Sequence, residues 1–385
     1  MRGITLRSAK NYIINNLEEQ KRCLKENDHC SIVLLSGAPG SGKSDLMEQI
    51  AIELGMGLNP QYLATMMIEQ FGMPLPTMEQ NAKFQRWSNP EFYSVYNLRV
   101  SPKKQSDGFI ILFMDDIHLA TKTIQQYFFQ LLTYRSIHSK KMPDNFLMVA
   151  AGNRSIDKAG AQPIMAPIIN RFYTIDVVAT ADNWIEDFAI PNQVRSDIIS
   201  FIELYPDLLQ SEPLESRAWA SPRSWTYFSQ ELDMMEKNHP LEFNDILTIG
   251  SGHIGLEYTT KYAEYVELFL KWNANQYLNG VPMLDLKDMP RLHKYTFMAA
   301  ITSELLKDLR HNNWKMNDEN IIKKINIVKS LFTTMMDICP EIVPLGLRNL
   351  LLSEKITNNE ATLYYKLTID NPKLLDGVKQ IITKS

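Results

Sequence analysis

Apolar positions along the first half of the chain fall in short blocks. Ser31–Ser36, Gln61–Met67, Phe109–Met114, Phe146–Ala151 and Phe172–Val178 are each about strand length. A helical pattern or a loop separates each block from the next. Strands that alternate with helices predict an α/β domain with a mainly parallel sheet. From Asn183 onward the apolar positions take helical spacing: Trp184, Phe188 and Ala189, then Ile198, Ile199, Ile202 and Leu204, then Trp225, Phe228 and Leu232. That region predicts an all-helical fold. Ser221-Pro222-Arg223 has the form of a helix start, with Ser as cap and Pro in the first turn. Between Asp318 and Met335 the residues Ile321, Ile325, Val328, Phe332 and Met335 recur at alternating steps of four and three, the stripe of a helix that packs on a core.

Composition changes this picture little. The 385 residues are 45% hydrophobic and 22% charged, which excludes disorder, collagen-like repeats and disulfide scaffolds. Forty basic residues against 44 acidic ones leave a net charge of −4, without the basic footprint of a dedicated nucleic-acid binder. The balance is uneven. Residues 1–180 carry 19 basic and 16 acidic side chains and residues 181–385 carry 21 and 28, so the first part is the better home for an anionic ligand. Cys23, Cys30 and Cys339 are odd in number and lack metal-ligand spacing, as in a reducing compartment. No apolar run is long enough for a signal core or a bilayer span, so the expectation is a cytoplasmic protein without membrane insertion.

The strongest chemical signal is Gly37-Ala38-Pro39-Gly40-Ser41-Gly42-Lys43-Ser44, a P-loop between an apolar strand and a helical run. Its glycines let backbone N–H groups curl around a phosphate at a helix N-terminus, where the dipole favours an anion. Lys43 is expected on the β- and γ-phosphates of ATP and the Ser44 hydroxyl on Mg²⁺. A second centre follows at Asp115-Asp116, after six apolar residues. Carboxylates in that setting are costly unless a cation or hydrogen bonds answer them. Asp115 is expected to hold Mg²⁺ through water, and Asp116 to polarise the attacking water. His118 follows by two residues and reads as a structural hydrogen-bonding group.

These motifs resemble the AAA+ ATPases, and within them the MoxR-like branch of bacteria and their phages. Leu147 to Arg154 looks like the sensor 1 strand, with Asn153 aligning water and γ-phosphate. Ile164 to Phe172 is similar to the helix end that presents an arginine finger to the next subunit, which makes Arg171 that finger. Ser221 to Trp225 resembles sensor 2, with Arg223 reaching the γ-phosphate from a helical lid. The resemblance runs from about residue 30 to about residue 255. Each arginine also has a plainer reading: Arg171 as a cation at its own helix C-terminus, and Arg223 as the partner of a surface acid. Most AAA+ proteins have Glu where this chain has Asp116, and the shorter side chain implies slow turnover or an ATP-held switch.

The resemblance implies a P-loop αβα core with a parallel five-stranded sheet over residues 1–180, a helical lid over 181–255 and a C-terminal helical extension over 256–385. It also implies an insertion around residues 73–106, whose aromatics Phe84, Trp87, Phe92, Tyr93 and Tyr96 either meet a partner or pack the insert on the core. Phe71-Gly72-Met73 sits where many AAA+ unfoldases place a pore loop, and equally resembles a conserved-type loop of MoxR-like proteins. The implied protein is an ATP-hydrolysing homo-oligomer, a hexameric ring that remodels a protein partner, with a von Willebrand factor A-domain protein as one such partner. A DNA-directed motor and an ATP-switched scaffold are the alternatives. Gly250 to Gly255 matches a dinucleotide fingerprint, but no acid lies near the ribose offset, so close helix packing explains its glycines better.

Overall fold

The computed structural model describes residues 3–75, 86–95, 98–103, 108–138, 140–154, 164–212, 217–281, 286–311, 313, 318–356, 363, 366, 367 and 374. They form two compact units, Met1–Ala179 and Thr180–Ser385.

In the first unit the chain runs β1 (Ile4–Thr5), α1 (Leu6–Glu26), β2 (Ile32–Gly37), α2 (Lys43–Leu54) and β3 (Gly57–Tyr62). A small antiparallel pair follows, β4 (Pro74–Leu75) with β5 (Arg86–Trp87). Then come β6 (Ile110–Asp115), α3 (Lys122–Tyr134), the pair β7 (Ser136–Ile137) and β8 (Lys140–Lys141), β9 (Phe146–Gly152), α4 (Ala166–Ile169) and β10 (Phe172–Val178). Six of these strands make one parallel sheet in the order β1-β10-β2-β9-β6-β3. Four of them fall where the sequence places them, one is displaced along the chain, and β1 adds a two-residue edge.

Helices cover both faces, which is why the strands read as unbroken apolar runs rather than as alternating ones. Val33, Leu35, Ile111, Phe113, Leu147 and Val149 pack under Ala9, Ile13 and Leu17 of α1 and Leu46, Met47 and Ile50 of α2. Their neighbours Ile32, Leu34, Leu112, Met114 and Met148 face the other way, onto Ile124, Phe128 and Leu131 of α3. Gln20 of α1 reaches the sheet itself, donating to Met148 O and accepting from Met148 N–H, both at 2.8 Å. Leu34 of β2 already pairs with Ala150, and Gln20 serves the main chain of β9 before that pairing begins.

One strand differs in place. Apolar content predicts Gln61–Met67, but the second long strand is Gly57–Tyr62, with Asn59 and Pro60 inside it. It lies at the sheet edge, where proline is tolerated. The buried Asn59 amide donates to Phe92 O at 2.8 Å and so meets its polar need.

In the second unit α5 (Ala181–Trp184) runs into a wide turn over Ile185–Ala189. After it come α6 (Ser196–Leu204), α7 (Pro222–Glu236), α8 (Phe243–His253), α9 (Leu256–Lys271), α10 (Ala274–Leu278), α11 (Arg291–His311), α12 (Glu319–Ile338) and α13 (Val343–Ile356). The cap of α7 is as expected: the Ser221 hydroxyl accepts from Ser224 N–H, with Pro222 first in the helix. All five residues of the α12 stripe are buried. Aromatic rings of α6, α7 and α9 meet in one core, with Phe201, Trp225 and Phe228 against Tyr262. The boundary expected at 255 thus falls between α8 and α9, two helices that share a core. Gly250 lies inside α8, not in a strand-to-helix turn, and a Cβ there would meet the Thr259 side chain of α9 at 2.4 Å. Among the described residues no helix is long and apolar enough to cross a membrane.

Candidate nucleotide site

The C-terminal ends of β2, β6 and β9 lie side by side in the sheet, and each delivers polar side chains to one place. The loop Ala38–Gly42 joins β2 to α2, with Gly40 and Gly42 at φ of +71° and +95°, a conformation that favours glycine. Gly42 is also the N-cap of α2 and offers no side chain to the first-turn N–H groups, so these are left for an anion. The Ser41 hydroxyl is buried without a hydrogen-bond partner.

Lys43 is 7% exposed, and its Nζ donates to Gly37 O at 2.9 Å, Ala38 O at 3.0 Å and Asn153 Oδ1 at 3.0 Å. Next to it the Ser44 hydroxyl donates to Asp115 Oδ2 at 2.7 Å. The other Asp115 oxygen accepts the Asp116 N–H at 2.9 Å. Burial pushes the Asp115 carboxyl up from its usual range, with the Ser44 bond pulling the other way and the Asp116 charge adding to the rise. Asp116 sits in the left-handed region at φ +55°, a backbone strain of the kind that clusters at functional sites. That turn sends the chain into a short helical turn, Ile117–Leu119, and brings His118 under the end of β9. His118 Nδ1 accepts the Asn153 N–H at 3.0 Å. A hydroxyl and a carboxylate one hydrogen bond apart, an ammonium and uncapped helix N–H groups fit Mg²⁺ with a phosphate chain.

Residues 33–175 match the family model described as the ATPase family associated with various cellular activities (AAA). The chain carries an AAA domain. No curated protein matches the chain in sequence. Matching solved structures include two point mutants of RuvB from Thermotoga maritima. One is 13% identical with a TM-score of 0.36, over 88% of this chain and 87% of that chain. The other is 14% identical with a TM-score of 0.35, over 90% and 92%. The Thermotoga maritima RuvB Holliday junction branch migration motor is 15% identical with a TM-score of 0.33, over 89% and 86%. At these values the likeness says nothing of what this chain acts on.

Within the AAA domain the expected site residues Lys43, Ser44, Asp115 and Asn153 are linked by direct hydrogen bonds, and Asp116 adjoins them. Arg171 is engaged elsewhere. It donates through Nε to Thr133 Oγ1 at 2.7 Å and through Nη1 to Pro167 O at 2.6 Å, and its guanidinium lies 4.2 Å from the Phe129 ring centre. Arg223, the second residue of α7, belongs to the other unit and is exposed.

The pore-loop expectation for Phe71 fails on burial. Phe71 is fully enclosed by Phe92, Tyr127 and Phe128, with ring centres 5.5, 4.7 and 5.4 Å away, so it cannot grip a substrate. The described aromatics of the insertion pack inward as well. Phe92 joins that cluster, Tyr93 packs on Phe92 and Phe146, and Trp87 stacks on His138 at 3.7 Å. Phe84 and Tyr96 lie outside the described residues. Sequence reading missed the link between His118 and Asn153. Its only trace is a histidine three positions beyond a buried acid.

Proposed function

We propose that this chain is a Mg²⁺-dependent ATPase that hydrolyses ATP by in-line attack of water on the γ-phosphate. The observation that carries the reading is the Ser44–Asp115 hydrogen bond of 2.7 Å beside the ammonium of Lys43. Gly37 to Ser44 would cradle the phosphates, and Lys43 would reach the β- and γ-oxygens. Ser44 and Asp115 would hold Mg²⁺, which offsets charge on the phosphates. Asp116 would orient and polarise the attacking water, and Asn153 would align it with the γ-phosphate.

Arg171 would serve the site of the next subunit, and Arg223 would reach the nucleotide from the helical unit. A finger given in trans requires a ring, for which a hexamer is the expected form. To serve that role Arg171 must exchange its bonds to Thr133 and Pro167 for a phosphate. The net charge of −4 and the acidic second half favour a protein over DNA as the remodelled partner, in the manner of MoxR-like proteins. A von Willebrand factor A-domain protein is the first partner to try.

Subunit mixing tests the shared site. Lys43→Ala and Arg171→Ala chains should each be inactive alone and recover part of the ATPase rate when co-assembled. Absence of recovery in confirmed mixed rings would count against Arg171 acting in trans. An Asp116→Asn trap loaded with ATP should retain a protein; retention of DNA instead, with steeply salt-dependent stimulation, would favour the DNA motor.

A further inference from the structure

Asn153 stands between two groups that make opposite demands on its amide. Lys43 Nζ, which has only protons to give, donates to Oδ1 at 3.0 Å. On the other side His118 Nε2 faces Nδ2 at 3.2 Å. The tautomer of His118 follows from its other nitrogen. Nδ1 accepts the backbone N–H of Asn153 at 3.0 Å, and an accepting nitrogen carries no proton, so in the neutral ring the proton is on Nε2. Nε2–H and the amide NH₂ therefore meet donor to donor. Turning the amide over would set Oδ1 opposite Nε2–H but would also set NH₂ against the ammonium. While Lys43 holds Oδ1, the amide cannot serve both.

Lys43 is the group that can leave. Its ammonium donates to Gly37 O, Ala38 O and Asn153 Oδ1. Of these acceptors only Asn153 Oδ1 sits on a rotatable side chain, so it is the one that gives way to a phosphate oxygen. His118 is the group that cannot. It is 2% exposed, and its ring lies against Gly152, where a Cβ would come within 3.2 Å of Nδ1 and of the Ile117 side chain.

We propose that His118 is a positioning residue that sets the orientation of Asn153. When a phosphate oxygen accepts the hydrogen bond that Lys43 now gives to Asn153, the amide turns, Oδ1 accepts from His118 Nε2–H, and the NH₂ group is presented to the γ-phosphate and the attacking water. The inference rests on the ATPase reading above. In it the side chain that aligns the water has its working orientation chosen by a histidine from the neighbouring strand end.

A double-mutant cycle on the full chain tests this, with steady-state ATPase and ATP affinity measured for wild type, His118→Ala, Asn153→Ala and the pair. The expected result is a fall in kcat of about 10- to 100-fold for His118→Ala with ATP affinity held within about twofold. In the Asn153→Ala background the same change should cost less than about twofold, because there is no amide left to turn. A loss of equal size in both backgrounds, or no loss in wild type, overturns the proposal. His118→Gln and His118→Asn provide the test if His118→Ala does not fold. Gln keeps a donor near the Nε2 position, whereas Asn keeps only an acceptor near Nδ1 for the backbone. Gln should therefore retain more kcat than Asn, and Asn equal to or above Gln overturns the proposal. Wild-type protein that neither binds nor hydrolyses ATP would instead refute the ATPase reading itself, a separate outcome.

Discussion

Gly37 closes β2 against β10, and the lack of a side chain there decides how near the phosphate loop can lie to the sheet. A Cβ would stand 2.6 Å from Val177 Cγ2 and 2.9 Å from the Val177 carbonyl, and the carbonyl belongs to a paired strand that cannot retreat. Gly37→Ala should cost about 1–3 kcal/mol of stability, as overpacking does, and should weaken ATP binding. Urea unfolding followed with a nucleotide-binding assay checks both. The same scale explains why Gln20 left no signature. A lone glutamine on a helix reads as solvated, and only the register of β9 against β2 shows that its amide serves the main chain of Met148 at both ends.

Among elements, the pair β4–β5 and the turn before it are tied to the core by rings. Phe71 enters the cluster of Phe92, Tyr127 and Phe128, while Trp87 stacks on His138 between β7 and β8. Phe71→Ala should therefore destabilise the AAA domain by about 3–5 kcal/mol, the usual cost of emptying a large aromatic site. A thermal or urea midpoint measures it; a Phe71→Ala chain of unchanged stability would revive a gripping role for that side chain. The element order, the cap at Ser221 and the α12 stripe were legible because burial on two sheet faces, N-capping and helical periodicity all leave local patterns. The second strand was not. Gly57–Tyr62 is chosen by its edge place and by the partners of Asn59, which come from residues about 33 positions away. The P-loop was legible as a string, yet the hydrogen bonds that join it to Asp115 and Asn153 come from sheet order, which a string does not encode.

At the scale of the whole molecule, one buried acid links three helices of the helical unit. The Glu203 side chain on α6 is 3% exposed, with Arg348 of α13 at 3.6 Å, Tyr295 of α11 at 3.2 Å and Asn349 at 3.3 Å. Burial pushes its carboxyl up from 4.5 to about 7, against the opposing pull of Arg348. A carboxyl raised on folding adds stability that is full below its unfolded value and is lost as pH climbs through the folded one. Between about pH 5 and about pH 8 the unit should lose on the order of 2–3 kcal/mol through this group. Melting temperatures across that range should fall, and Glu203→Gln should flatten the slope; an unchanged slope in the variant would exclude Glu203 as its source.

Arg348 also bonds Asp182 at 2.8 Å and Glu186 at 2.8 Å, both from the opening turns of the same unit. Helix α13 therefore carries the counter-charge for acids at the unit's beginning. When residues 180–342 have been translated, the three acids Asp182, Glu186 and Glu203 exist before the arginine that answers them. These ion pairs can form only once α13 has been made, so the start of the helical unit is secured by a segment translated about 160 residues later.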